Sequence, residues 1–126
     1  MADVLDVIDR FWEARLKGDT AAIHAMLAPE ATYAMAGHKD FAGISARVAA
    51  EVLVDAFKFH SREPLTAIVE ALKVATVNRI QVSYRGGDPV VSEVCDLWEF
   101  DDAGRIISLK QFVDTDLVRR MTGGKV

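Results

Sequence analysis

Apolar residues recur at three- and four-residue steps from Asp3 to Lys17, through Val4, Leu5, Ile8, Phe11, Trp12 and Leu16, and that rhythm predicts a helix with one buried stripe. Gly18 is placed to end it. Asp19 can cap a second, shorter helix in which Ile23, Met26 and Leu27 keep the rhythm until Pro29, which lacks the N–H a further turn would need. Ala31 to Ala36 alternates and predicts a strand, with Tyr33 and Met35 on one face and Thr32 and Ala34 on the other. His38 to Gly43 reads as a loop, and Ile44 to Phe57 as a third helix through Ile44, Val48, Val52, Leu53 and Phe57.

From there to the end the pattern predicts sheet. Leu65 to Leu72 is assigned to strand, although Leu65, Ile68, Val69 and Leu72 would also make a helical stripe. Thr76 to Arg85 and Val90 to Phe100 are long β-rich runs separated by turn chemistry at Gly86-Gly87-Asp88-Pro89, and Asp101 to Gly104 is a tight hairpin into Arg105 to Asp114. Thr122 to Val126 reads as a frayed tail. Helices first and strands after predict an α+β fold, with three N-terminal helices packed in the concave face of a curved, antiparallel or mixed sheet. No repeat or linker interrupts residues 1–126, which read as one domain.

Composition narrows the chemistry. A chain of 126 residues with 51% hydrophobic residues can bury roughly two-thirds of its surface, enough to hold a fold without disulfides or a structural metal. Cys95 is the one cysteine, which excludes an intramolecular disulfide and a cysteine-built zinc site. His24, His38 and His60 share no ligand spacing, so neither a metal nor a cofactor is expected; His60 is a weak acid/base candidate. A net charge of −4 argues against a nucleic-acid partner. The acidic start and the lack of an apolar run near ~20 residues predict neither a signal peptide nor a membrane span, hence a soluble, cytoplasmic protein.

Strand alternation places Arg79, Gln81 and Ser83 on one side of their strand and Val94, Asp96, Trp98 and Phe100 on one side of the next. Asp96, flanked by Val94 and Trp98, is expected to be desolvated and its pKa raised, unless Arg79 or Arg15 stands close enough to lower it. The two outcomes differ in chemistry. An unpaired Asp96 is a tuned acid/base, whereas a paired one merely satisfies its arginine. Gln81 and Gln111 in a sheet interior need partners or a polar ligand group. Tyr33, Phe11, Arg15, Met35, Phe57 and Trp98 are the other pocket candidates; Tyr33 reads equally as a half-buried strand tyrosine, and side chains such as Phe11, Met35, Phe57 and Trp98 are more often plain core than ligand contacts. No phosphate loop, Ser-His-Asp set or Cys-His pair appears. Ile80, Val82, Val91, Cys95, Leu97 and Phe112 form an apolar outer face, which predicts a homodimer through the sheet.

Phe11-Trp12-Glu13-Ala14 leading to Gly18-Asp19, then Ala31-Thr32-Tyr33, then Trp98 to Ile106, closing on Gln111 to Thr115, resembles the nuclear transport factor 2-like superfamily, which includes SnoaL-type polyketide cyclases, ketosteroid isomerases and limonene epoxide hydrolases. The resemblance covers nearly the whole chain and implies a cone-shaped α+β barrel with a deep, mostly apolar pocket, commonly dimerised through the outer sheet face. Against the isomerase pattern, Phe11 stands at the tyrosine, Met35 at the base and Asp96 at the protonated acid, so the standard isomerase mechanism lacks two of its three groups. Against the epoxide hydrolase pattern, Tyr33 and Arg79 match, while Met35, Gln81 and Gln111 replace the asparagine and the two aspartates. That route loses its acid and base.

Two functions follow as expectations. The first is an isomerase, cyclase or dehydratase acting on a small hydrophobic molecule of polyketide, steroid or terpene type. Asp96 would move the proton, Arg79 would stabilise negative charge, and Tyr33, Gln81 and Gln111 would orient the substrate. The second is a non-catalytic lipophilic-ligand or dimerisation module whose pocket has lost the isomerase and epoxide hydrolase residues.

Overall fold

A computed structural model describes residues 3–124, and the elements run α1 (Val4–Lys17), α2 (Thr20–Met26), β1 (Leu27–Met35), a 3-10 turn (Lys39–Phe41), β2 (Ala42–Ser45), α3 (Ala46–Ala56), β3 (Phe57–Glu70), β4 (Lys73–Tyr84), β5 (Val90–Phe100), β6 (Ile106–Phe112) and α4 (Thr115–Thr122). The first helix begins and ends where the sequence signals place it, and the second begins at its cap but stops at Met26, with Leu27 already the first residue of β1 rather than part of the helical run to Pro29. The Asp3 and Asp19 carboxylates accept the N–H groups of Leu5 and Ala22, and Gly18 closes α1 in the left-handed conformation at φ 67°.

The six strands form one unclosed mixed sheet in the order β2-β1-β6-β5-β4-β3, in which only β1 and β6 run parallel. Pro29, unable to donate to a ladder, lies where the β1–β6 register breaks between Leu27 and Thr32. The segment Leu65 to Leu72, ambiguous by pattern, belongs to β3 and to the two-residue turn after it, with Ala71 at φ 53°. Asp101 fixes the β5–β6 hairpin: its Oδ1 accepts the N–H groups of Ala103 and Arg105, and these contacts hold its pKa down. Helices α1 to α3 cover the inner face, where Phe11 meets Trp98 edge-on at 5.1 Å and Trp12 lies on Phe59 at 5.3 Å.

Three expectations need correction. The buried face of α3 is Ala46, Ala49, Leu53 and Ala56, while Val48 and Val52 are exposed; small side chains let this helix approach β1 closely. On β4 the inward residues are Val74, Thr76, Asn78, Ile80 and Val82, so Arg79 and Gln81 point outward, and Ile80 and Val82 leave the expected outer patch. Third, α4 stands where sheet and a frayed tail were expected, capped by Asp114 through the Leu117 N–H and closed by Gly123 at φ 63°. Thr122 ends this helix and is buried, and Lys125 and Val126 of the expected tail lie outside the described residues.

Candidate functional site

One register row across four strands sets Thr76, Asp96, Gln111 and Met35 side by side. The next row sets Val74, Trp98, Leu109 and Tyr33. The period-two pleat turns all eight toward the helices. Within this patch the Tyr33 hydroxyl donates to Gln111 Oε1, and Gln111 Nε2 donates to Asp96 Oδ1 at 3.0 Å. Trp98 Nε1 donates to Thr76 Oγ1 at 2.9 Å.

Asp96 is 0% exposed, and its Oδ2 has no hydrogen-bond partner among the described residues. Burial pushes its pKa up to about 7, while the Gln111 hydrogen bond and the more distant charge of Arg62 pull it down. Neither Arg79 nor Arg15 clamps it. Tyr33 is raised well above the ordinary phenol range, first by burial and then by the Asp96 charge, with Arg15 opposing, so it remains a neutral donor.

Arg15, from α1, is 8% exposed. Its Nη1 donates to the Phe57 carbonyl at 3.4 Å, and its guanidinium lies 4.2 Å from the centre of the Phe59 ring. Burial lowers its pKa to about 10, which leaves it charged at neutral pH. Two small, partly open cavities of about 60 and 40 Å³ meet around Arg15, Leu53 and Gln111. Phe11 and Tyr33 line the smaller; Met35, Phe57 and Val94 line the larger. Leu117, Val118 and Met121 of α4 cap the larger one. In place of the deep pocket implied by the resemblance there are two small, partly open spaces that share part of their lining. An open cleft of about 370 Å³ beside α4 shares Met35, Val113 and Val118 with the larger cavity.

The structure thus brings together Asp96, Tyr33, Gln111, Arg15, Met35, Phe11, Phe57 and Trp98. It leaves out Arg79 and Gln81. Arg79 stands in an outer row between Glu63 and Glu93, with ion pairs of 2.9 and 3.2 Å. That position satisfies its charge at the surface, whereas the inner face would have required desolvating it. His60 bonds Ser83 Oγ at 2.8 Å and lines neither cavity.

Sequence reasoning missed Asn78 and Arg62. Asn78 is 0% exposed and its Oδ1 accepts from Arg62 Nε at 2.8 Å, while Arg62 Nη1 donates to Asp9 at 2.9 Å. The signal for Asn78 was available: Val74, Thr76, Asn78, Ile80 and Val82 are the more apolar set of β4, which marks the inward phase.

The SnoaL-like domain family matches residues 8–109. No curated protein matches the chain. Among similar solved structures are an LEH-like epoxide hydrolase of M. tuberculosis, 20% identical with a TM-score of 0.74 over 96% of this chain and 90% of that one, and an NTF2-like protein of Burkholderia thailandensis E264, 22% identical with a TM-score of 0.75 over 97% and 98%. A third, from Catenulispora acidiphila DSM 44928, has a ketosteroid isomerase-like fold and was solved with trimethylamine; it is 15% identical, with a TM-score of 0.75 over 93% and 92%. At these identities the likeness fixes the fold and leaves the chemistry to the site. The strand order, the helices on the inner face and the match through most of the length agree, and the chain belongs to the SnoaL-like domain family.

Proposed function

We propose that the chain is an acid/base enzyme of the isomerase, cyclase or dehydratase kind, acting on a small, largely apolar molecule that carries a carbonyl or hydroxyl, with Asp96 holding the proton. One observation carries this reading: a fully buried carboxyl with one unpartnered oxygen is joined through Gln111 to Tyr33 beside an apolar cavity. With Asp96 ionised, Gln111 donates to it and accepts from Tyr33. Once Asp96 is protonated, its O–H needs an acceptor, and turning the Gln111 amide over supplies one. The amide N–H₂ then faces the Tyr33 oxygen, and the phenolic hydrogen is free to donate to a ligand oxygen. Arg15 takes the charge-stabilising role that the sequence assigned to Arg79.

The test is α-hydrogen exchange. A panel of small cyclic ketones in D₂O, followed by proton NMR, should exchange faster with the protein than in buffer, and Asp96→Asn should abolish the gain. Exchange at the buffer rate across the panel would reject the reading. A second reading, a non-catalytic binding module, is favoured by Asp96 standing behind Gln111, outside the lining of both cavities, and by α4 filling the mouth. It predicts ligand-induced protection of α4 from hydrogen exchange with no turnover. The homodimer proposal now rests on the exposed Val91, Leu97 and Phe112, with sedimentation at micromolar concentration as its check.

A further inference from the structure

We propose that Arg15 is an anion-binding site and that the ligand of this cavity is a small organic monocarboxylate, its carboxylate on the guanidinium and its apolar body against Met35, Leu53, Phe57 and Val94. The proposal rests on the reading that these cavities receive a ligand, and it names the class of that ligand. Arg62, the other arginine held largely out of water, has Asp9 at 2.9 Å and Asn78 at 2.8 Å. Arg15 has no carboxylate within ion-pair distance among the described residues, and one long hydrogen bond of 3.4 Å serves a group with five N–H donors. A buried cation left in that condition is costly, and an incoming anion relieves the cost.

The geometry selects the anion. Arg15 reaches both cavities, so its free edge meets whatever enters either one. Phe59 occupies one face of the guanidinium at 4.2 Å, leaving its in-plane fork to bind, and that fork matches the two oxygens of a carboxylate. Apart from Arg15, Gln111 and Ser92, the larger cavity is lined by apolar and aromatic side chains, so a dianion such as a phosphate monoester would find one charge of its two uncompensated. The open cleft of about 370 Å³ past Met35 and Val118 is lined also by His38, Thr115, Asp116 and Arg119, so the apolar body stays on the Met35 and Val118 side of it.

Matched pairs test this on the full chain: hexanoate against hexanamide, and benzoate against benzamide, titrated at neutral pH and read by the Arg15 Nε and Cζ resonances and by thermal shift. The acids should bind at least tenfold more tightly than the amides and move the Arg15 resonances, and Arg15→Met should bring acid and amide level. Should that variant fail to fold, the wild-type resonances and the acid-to-amide ratio decide alone. Equal binding of acid and amide with the Arg15 resonances unmoved overturns the anion site and leaves the ligand cavity standing. No binding by any of the four overturns both.

Discussion

Asp96→Asn separates the charge of this side chain from its shape. The carboxyl sits at about 7 in the fold against 3.8 for an ordinary aspartate, so the folded chain takes up this proton more readily than the unfolded one. Between those two pH values the folded state carries the extra proton, and stability must fall as pH rises. The contribution is fully present below about pH 4 and is lost as pH climbs through 7. At about 1.4 kcal/mol for each decade, the loss comes to about 4 kcal/mol, a large share of the roughly 5–15 kcal/mol that holds a domain of this kind together. Asparagine keeps an oxygen for Gln111 and never ionises. Urea unfolding from pH 4.5 to 8.5, followed through the fluorescence of the buried Trp12 and Trp98, gives the difference curve between wild type and variant, in which groups common to both cancel. The difference should fall against the wild type by a few kcal/mol with rising pH and level off above 7. A level difference, or one that rises with pH, would mean that Asp96 is ionised and clamped in the fold, and the account of the site would be wrong.

Three further perturbations probe the rest. Leu53 lines both cavities, so Leu53→Ala should cost about 2–4 kcal/mol in urea unfolding, yet join the two spaces and raise the thermal shift produced by toluene. Gly37 has φ 80° and a Cβ built on it would lie 2.9 Å from Thr115 Cγ2 at the start of α4, so Gly37→Ala should destabilise by about 1–2 kcal/mol and speed hydrogen exchange across Leu117 to Met121. Arg79→Ala should leave both the melting temperature and ligand binding as they are, because its partners are exposed outer-face carboxylates; altered binding would return it to the site.

What the sequence made legible was local. A glycine after an apolar stripe, an aspartate before one, and the alternation through Val94, Asp96, Trp98 and Phe100 each act within a few residues, and each reads correctly. The errors came where a tertiary choice overrode the pattern, or where the pattern was misread. On α3 the valines make the better hydrophobic stripe, but close packing on β1 favours the alanine face. On β4 the alternation was read in the wrong phase, with Arg79 and Gln81 inward and Ile80 and Val82 outward, and the epoxide hydrolase likeness pointed the same way. In α4 the signals were all present, with Asp114 as cap, Leu117, Val118 and Met121 at helical spacing, Arg119 and Arg120 in the last turn and Gly123 after it. Asp114 was read instead as the end of a strand. Arg62 was invisible because its partners Asp9 and Asn78 come from distant parts of the chain.

The separation of Asp96 from Arg15 is the strongest sign that this interior was shaped for something other than stability. A fold that buries an acid and a base lowers the cost most simply by pairing them, and failing that by replacing both with apolar side chains. Here the acid is held above its usual pKa and the base below its own, each by desolvation first. Tyr33 and Gln111 stand between them, bonded to each other and, through Gln111, to the acid alone. On the outer face the same chain shows that it can neutralise charge where nothing else is asked of it: Arg79 lies between two glutamates in register. Arg15 borders both spaces directly, whereas Asp96 reaches them only through Gln111, which lines both and accepts from Tyr33. Arg15 and Asp96 are joined only indirectly, since the Tyr33 phenol feels the charge of both and hydrogen-bonds the amide that holds the acid.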